Sequence, residues 1–339
     1  MADSPRILVA GASGYAGALA AELVHLHPSL ELAGATARSD VGARLSDLYP
    51  RYGCGAVLEE LDLDALEGVD AAIVAYPHGA SAPVVAGMRG LGIRVVDLSA
   101  DFRLRDLPTY ERWYGPHGEP DLLDGAVYGL TELNRERIAE AELVANPGCY
   151  PTATVLALAP LARAGLIGDV IVDAKSGVSG AGRGAAEEME VVKETEDTKA
   201  YKVEGHRHMP EIAQELTALA DGSAPAGGVP VTFVPHLMPY DQGELVSCYV
   251  ALRERPGPEA LRSLFEQAYG DEPFVELADS PPGVSEVRGT NRCRVFAVPG
   301  DDGRAIVFGV IDNLWKGAAS QAIQNLNLML GLPEGEGIS

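Results

Sequence analysis

The feature that most narrows the possible folds lies near the N-terminus. The series Gly11-Ala12-Ser13-Gly14-Tyr15-Ala16-Gly17 stands between a short apolar strand pattern at 6–10 and a helical pattern at 18–27. Strand, glycine turn and helix in that order begin a βαβ unit. Glycines at such a turn let the backbone approach a pyrophosphate, and the helix N-terminus supplies N–H groups and a favourable dipole. The spacing is Gly-x-x-Gly-x-x-Gly, not the Gly-x-Gly-x-x-Gly of many dinucleotide sites, so the flanking strand and helix carry the inference more than the glycines do. Short apolar runs at 31–37, 71–75, 94–97 and 143–145 alternate with helical or looped stretches. That pattern predicts a parallel sheet covered on both faces.

After residue 149 the texture changes. Strand-like runs at 170–174, 229–234, 245–252, 294–298 and 305–310 dominate, with helices expected at 210–220 and 258–269. An α+β substrate domain with a mostly antiparallel sheet is the prediction. The last segment, 314–330, puts Leu314, Ala318, Ala322, Leu326 and Leu330 near one face, the pattern of an amphipathic helix that packs back on the first domain. At 339 residues the chain exceeds the size at which single cores stop growing. It is expected to divide into a Rossmann-type α/β domain, 1–148 with 313–332, and the substrate domain, 149–312, to which the family resemblance described below assigns catalysis and oligomerisation.

A formal net charge of −23 and a pI near 4.6 argue against nucleic acid or an anionic membrane as partner. No apolar run reaches membrane-spanning length. The N-terminus lacks the charged lead, long apolar stretch and cleavage site of a signal peptide. Cys54, Cys149, Cys248 and Cys293 stand far apart with no Cys-x-x-Cys pair, so neither a zinc site nor a disulfide framework is expected, and a reducing cytoplasm fits. Anionic ligands would have to be held by local cations against an unfavourable field.

The chemistry concentrates on Asn146-Pro147-Gly148-Cys149-Tyr150-Pro151-Thr152, which places a thiol on a Pro-Gly turn just before an apolar helical run at 153–164. A lone cysteine is ordinarily a small buried hydrophobe. Here the turn weighs against that, because unpaired N–H groups and the positive end of a helix dipole favour the nucleophilic thiolate. Farther on stands Gly205-His206-Arg207-His208. In an extended stretch both imidazoles share one face and Arg207 points away, available to hold substrate. Either ring could serve as proton donor or base beside the thiol, and spacing does not choose between them. The two histidines and Glu211 fall short of a metal-ligand set, so no metal is expected.

At the end of the second strand, Ala37-Arg38-Ser39 presents a guanidinium and a hydroxyl where an NAD site would place an acid. That favours NADP, with an ordinary surface arginine as the alternative reading. Candidate cations for a substrate phosphate or carboxylate are Arg103, Lys175 and Arg183. Arg103 is preferred because it follows the fourth strand, where ligands of such sheets gather. The glycine-rich stretch 176–184 reads as a loop close to ligand.

With these residues assembled, the chain resembles the N-acetyl-γ-glutamyl-phosphate reductase family of the aspartate-semialdehyde dehydrogenase superfamily over nearly its whole length. The resemblance rests on the glycine series, Leu98-Ser99-Ala100-Asp101-Phe102-Arg103, the Cys149 and His206 motifs, the 176–183 loop and Asp312-Asn313-Leu314-Trp315-Lys316-Gly317-Ala318. It implies a homo-oligomeric, NADP(H)-dependent enzyme of arginine biosynthesis, dimeric or tetrameric, that reversibly reduces an acyl phosphate to a semialdehyde with release of inorganic phosphate. A Cys149 thioester would carry the reaction, and family similarity favours His206 over His208 as the proton donor. It further implies cofactor contacts from Gly11, Ser13, Gly14, Tyr15, Gly17, Arg38 and Ser39, with Ser176, Gly177, Gly180 and Asn313 at the nicotinamide end. Substrate contacts would come from Arg103, Asn146 and Arg207. The competing readings are a reductase of aminoadipyl or aspartyl phosphate, and a non-catalytic NADP-binding sensor.

Overall fold

The computed structural model describes residues 4–300 and 302–338. The chain divides into two compact units, Met1–Gly148 with Ala318–Ser339, and Cys149–Gly317.

The first unit is built on a sheet of strands β1 (Arg6–Ala10), β2 (Glu31–Thr36), β3 (Leu58–Glu59), β4 (Ala71–Val74), β5 (Arg94–Asp97), β6 (Ala126–Tyr128) and β7 (Leu143–Ala145). Their order is β3-β2-β1-β4-β5-β7-β6, and every pairing is parallel. The central strands are buried on both faces, with no exposed surface at Val9, Ala10, Ala72, Ile73 or Val74, which is why they read as unbroken apolar runs. The edge strands β3 and β6 leave no signal in the sequence. Two or three residues are too few to show a period, and these pair only because a neighbour is already in place. Arg103 therefore follows the fifth strand in chain order, not the fourth.

The C-terminal segment departs from expectation. A π-helical turn, Trp315–Ala319, precedes the helix Ser320–Met329. That helix is not amphipathic in place, because Gln321, Gln324, Asn325 and Asn327 are as buried as Ala322 and Leu326. Its buried amide N–H groups are satisfied internally, while Gln321 Oε1 has no partner. Gln321 Nε2 donates to Gly129 O and Thr131 Oγ1, and Asn325 Nδ2 donates to Gly129 O and to Asn146 Oδ1 at 3.0 Å. A buried amide with partners costs little, so the polar stripe that suggests a wet face here binds the helix into the first unit.

The second unit carries β8 (Ile167–Gly177), β9 (Lys199–Ala200), β10 (Val231–Met238), β11 (Glu244–Leu252), β12 (Val275–Leu277), β13 (Cys293–Pro299) and β14 (Arg304–Ile311), in the order β12-β13-β14-β11-β8-β10-β9. The sheet is mixed but mostly antiparallel, with β12–β13 and β8–β10 as its parallel pairs. Period-two alternation sends Val170, Val172 and Ala174, Val246, Cys248 and Val250, and Ala305 and Val307 to one buried face. The helix Cys149–Arg163 packs there, across β11 and β14. Its approach is close, since a Cβ at Gly309 would stand 2.6 Å from Ala153 O. On the opposite face Ile171, Tyr249 and Val298 are exposed.

Candidate active site

In the first unit the site is made of backbone. The helix after the glycine turn, Tyr15–Leu26, begins three residues before its predicted start, with Gly14 as N-cap and no side chain capping it. Gly11 has a φ of +93°, and a Cβ there would strike Ala75 O at 2.6 Å; a Cβ at Gly17 would strike Gly11 O at 2.3 Å. At Gly11 and Gly17 the turn is packed too closely for a side chain, and the helix N-terminus carries no side-chain cap, a cradle that fits a pyrophosphate. Around it Ser13 Oγ and Ser39 Oγ lie 3.2 Å apart, and Tyr49 donates to Ser13 O at 2.7 Å. Tyr15 meets the Tyr49 ring edge-on. The Arg38 guanidinium is exposed and lies 4.8 Å over the Tyr76 ring. These predicted cofactor residues are gathered at one end of the sheet. Arg103 and Asn146 are also joined in this unit. Arg103 Nε donates to Asn146 O and its Nη2 to Leu98 O, both at 2.8 Å, so two of its donors hold the strand ends in place.

In the second unit the site is made of side chains. Cys149 is the first residue of its helix, four residues earlier than the apolar run indicated, because Tyr150, Pro151 and Thr152 are already helical. Proline is compatible with the first turn, where its missing N–H has no intrahelical acceptor. Cys149 is partly exposed, whereas Cys54, Cys248 and Cys293 are buried. Gly317 lies directly against it, and a Cβ there would stand 2.8 Å from Cys149 Cβ. The motif around Gly317 is legible in the sequence; this steric role is not.

His206 and His208 come together, with ring centroids 4.8 Å apart, but not along an extended strand. Arg207 has helical angles, φ −59° and ψ −21°, and the helix starts at His208, before Pro210. A turn makes the juxtaposition: the His208 backbone N–H donates to His206 Nδ1 at 3.1 Å. With Nδ1 accepting, the ring proton of His206 belongs on Nε2. Tyr150, Tyr201 and Phe233 surround the ring, with centroids 5.8, 5.7 and 5.1 Å away. Burial, reinforced by Lys202 and Arg207, lowers its pKa to about 4. It is a neutral N–H donor at neutral pH, not an imidazolium. Tyr150 and Tyr201 hydroxyls meet at 3.3 Å, and burial raises the pKa of both.

The predicted loop residues cluster around Asn313. Its Oδ1 accepts from the Gly243 N–H at 2.8 Å and its Nδ2 donates to Ser179 Oγ at 3.0 Å. A Cβ on Gly180 would crowd Ser176 Oγ at 2.9 Å, and one on Gly177 would strike Asp241 O at 2.5 Å. Lys175, a candidate cation in the sequence, is instead paired with Asp173 on its own strand at 2.5 Å. Among the described residues no group of three or more histidine, cysteine or acidic side chains could hold a metal, and no helix is long and apolar enough to cross a membrane.

One residue of this region stands outside the sequence-based candidates. Glu244, the first residue of β11, is fully buried with both carboxyl oxygens unpartnered, and burial pushes its pKa up to about 8. The signal was present: Glu244, Val246, Cys248 and Val250 share strand parity, so an acid stands at an inward position.

Residues 6–141 match the family described as semialdehyde dehydrogenase, NAD binding domain, and residues 149–313 the semialdehyde dehydrogenase, dimerisation domain. Aspartate semialdehyde dehydrogenase II of Vibrio cholerae, solved in complex with ASA, shares the fold with a TM-score of 0.72 at 20% identity, covering 97% of this chain and 98% of that one. The Candida albicans aspartate semialdehyde dehydrogenase solved with NADP gives 0.68 at 14% identity, covering 96% and 98%. Fold and matched domains define a protein of the semialdehyde dehydrogenase type. The N-acetyl-gamma-glutamyl-phosphate reductase of Dehalococcoides mccartyi is 46% identical over 333 residues, 96% of this chain and 95% of that protein. That of Pseudomonas fluorescens is 43% identical over 343 residues, 98% of each. The chain belongs to the N-acetyl-γ-glutamyl-phosphate reductase family.

Proposed function

We propose that the chain catalyses the reversible, NADPH-dependent reduction of N-acetyl-γ-glutamyl phosphate to N-acetyl-L-glutamate 5-semialdehyde, with release of inorganic phosphate, as a step of arginine biosynthesis. The observation that carries this reading is a partly exposed thiol at the first position of a long helix, in a chain 43–46% identical to reductases of that name. Cys149 Sγ attacks the acyl carbon, the carbon–oxygen bond to phosphate breaks with its electron pair on the leaving group, and a thioester remains. The Nε2–H of His206 donates to the carbonyl oxygen as charge grows there, which a neutral imidazole does without losing its proton. His208 acts chiefly on substrate affinity, with Arg103, Asn146 and Arg207 as substrate contacts.

NADPH, when bound, supplies the hydride that reduces the thioester. The glycine turn fits its pyrophosphate, and Arg38 with Ser39 its 2′-phosphate. Ser176, Gly177, Gly180 and Asn313 serve the nicotinamide end. A match to a dimerisation domain and the exposed apolar side chains Ile171, Tyr249 and Val298 support a homo-oligomer. A cytoplasmic location accords with an enzyme that depends on a reduced thiol.

A substrate panel tests the reading. Acyl phosphates of N-acetylglutamate, aspartate and aminoadipate are compared forward, and the corresponding aldehydes with phosphate and NADP in reverse. The N-acetylglutamyl compounds should show the highest kcat/KM. Higher kcat/KM for another pair would transfer the activity to that substrate, and stoichiometric alkylation of Cys149 without any turnover would favour the sensor.

A further inference from the structure

Glu244 has no exposed surface, and neither carboxyl oxygen completes a hydrogen bond. An acid buried without a partner is costly, and its surroundings show which group it addresses. Its register partners are Ser176 on β8 and Ile311 on β14. The Ile311 side chain and Cys149 Cβ pack against the same point, Gly317, where a Cβ would lie 3.3 and 2.8 Å from them. The Cys149 thiol and Ser176 hydroxyl favour its charged form, Asp312 opposes it, and Tyr150, Tyr201 and Tyr240 feel its charge. No cation is among these groups. Burial prevails, and the carboxyl is protonated at neutral pH. His206, neutral over the same range, has no spare proton for the sulfur.

We propose that Glu244 is the acid partner of Cys149, a carboxyl group that hydrogen-bonds the thiolate and returns a proton to the sulfur when it is expelled. The inference rests on Cys149 being the nucleophile, but not on which acyl phosphate it attacks. In the reactive form the pair holds one proton and one negative charge. That proton lies on Glu244 and the charge on Sγ, so a sulfur lone pair forms the S–C bond and the proton stays on the Glu244 carboxyl. After reduction the C–S bond breaks, sulfur keeps the electron pair, and the proton passes from Glu244 back to Sγ as the aldehyde C=O forms. The pair's proton is recovered in each cycle, and the one proton that the reduction consumes overall is taken from solvent by the leaving phosphate.

Alkylation of Cys149 by iodoacetamide, followed against pH by peptide mapping, tests this without substrate or cofactor. In the wild type the rate should rise in two steps, because the first negative charge is shared and the second proton leaves against it. Glu244→Gln, which donates but does not titrate, should react at a near wild-type rate at neutral pH and show a single step. Glu244→Leu, with no donor, should react on the order of 10-fold more slowly at neutral pH, the loss of one charge-assisted hydrogen bond. If Glu244→Gln keeps both steps, the proposal fails. It fails equally if Glu244→Leu matches the wild type at neutral pH. Should Glu244→Leu not fold, the curve of the near-isosteric Gln variant decides alone. Failure here would leave the substrate panel untouched, and failure of the panel would leave this titration standing.

Discussion

The glycine turn of the first unit and the thiol site of the second are both built at a helix N-terminus, yet by opposite means. The turn spans seven consecutive residues, and its geometry follows from where side chains cannot be: a Cβ on Gly11 or Gly17 collides with backbone. The thiol site draws Cys149, Ser176, Glu244 and Gly317 from separate elements and Tyr201 and His206 from one loop, and its properties follow from which side chains meet. A backbone site is specified locally and recognises a shape. A side-chain site needs the sheet register, and in return it acquires groups with altered proton affinity, such as His206 and Glu244.

The largest test of that contrast is Cys149→Ser. It should lower turnover by at least about 10³-fold, since an alcohol is a far weaker nucleophile, while NADPH titration by fluorescence stays within about twofold of wild type. Turnover near normal would remove Cys149 from its role and with it the division of labour.

His206→Asn should cost on the order of 10²-fold in kcat, the usual scale for one proton or hydrogen-bond donor. The same ring predicts a pH effect on stability. Its folded pKa, about 4, lies below the ordinary 6.5, so between these values the unfolded chain binds more protons than the folded one. Stability is then lost as pH falls from 6.5 toward 4, and His206→Asn should lose less of its melting temperature over that window. Equal losses in both proteins would mean that the ring is protonated in the fold.

The smallest effect belongs to the backbone site, where side chains only adjust selectivity. Arg38→Asp should weaken NADPH about 10-fold relative to NADH, because a repelling carboxylate replaces a charge-assisted donor. An unchanged preference would move the 2′-phosphate to other residues and make Arg38 merely the partner of Tyr76.

Much of this was legible before folding because it is local. The central strands of the first unit declared themselves as apolar runs, and the helix Pro258–Tyr269 has the predicted bounds. The helix at Cys149 begins four residues before its apolar run, since a first turn containing Pro151 looks like a break and is not one. Edge strands β3, β6, β9 and β12 are two or three residues long and exist only through their neighbours. The terminal helix reads as amphipathic in sequence, because a glutamine or asparagine that will meet Gly129 O or Asn146 Oδ1 looks the same there as one that will meet water.

The sequence by itself determined the order of elements, the backbone cradle, and the thiol at a helix start, each set by neighbours within a few residues. Tertiary structure alone decided that His206 is neutral with its proton on Nε2, that Gly317 must lack a side chain, and that a buried acid faces Cys149. These depend on burial and on the pairing of β11 with β8 and β14. Desolvation is a property of everything packed around a group, and no local stretch of chain encodes it.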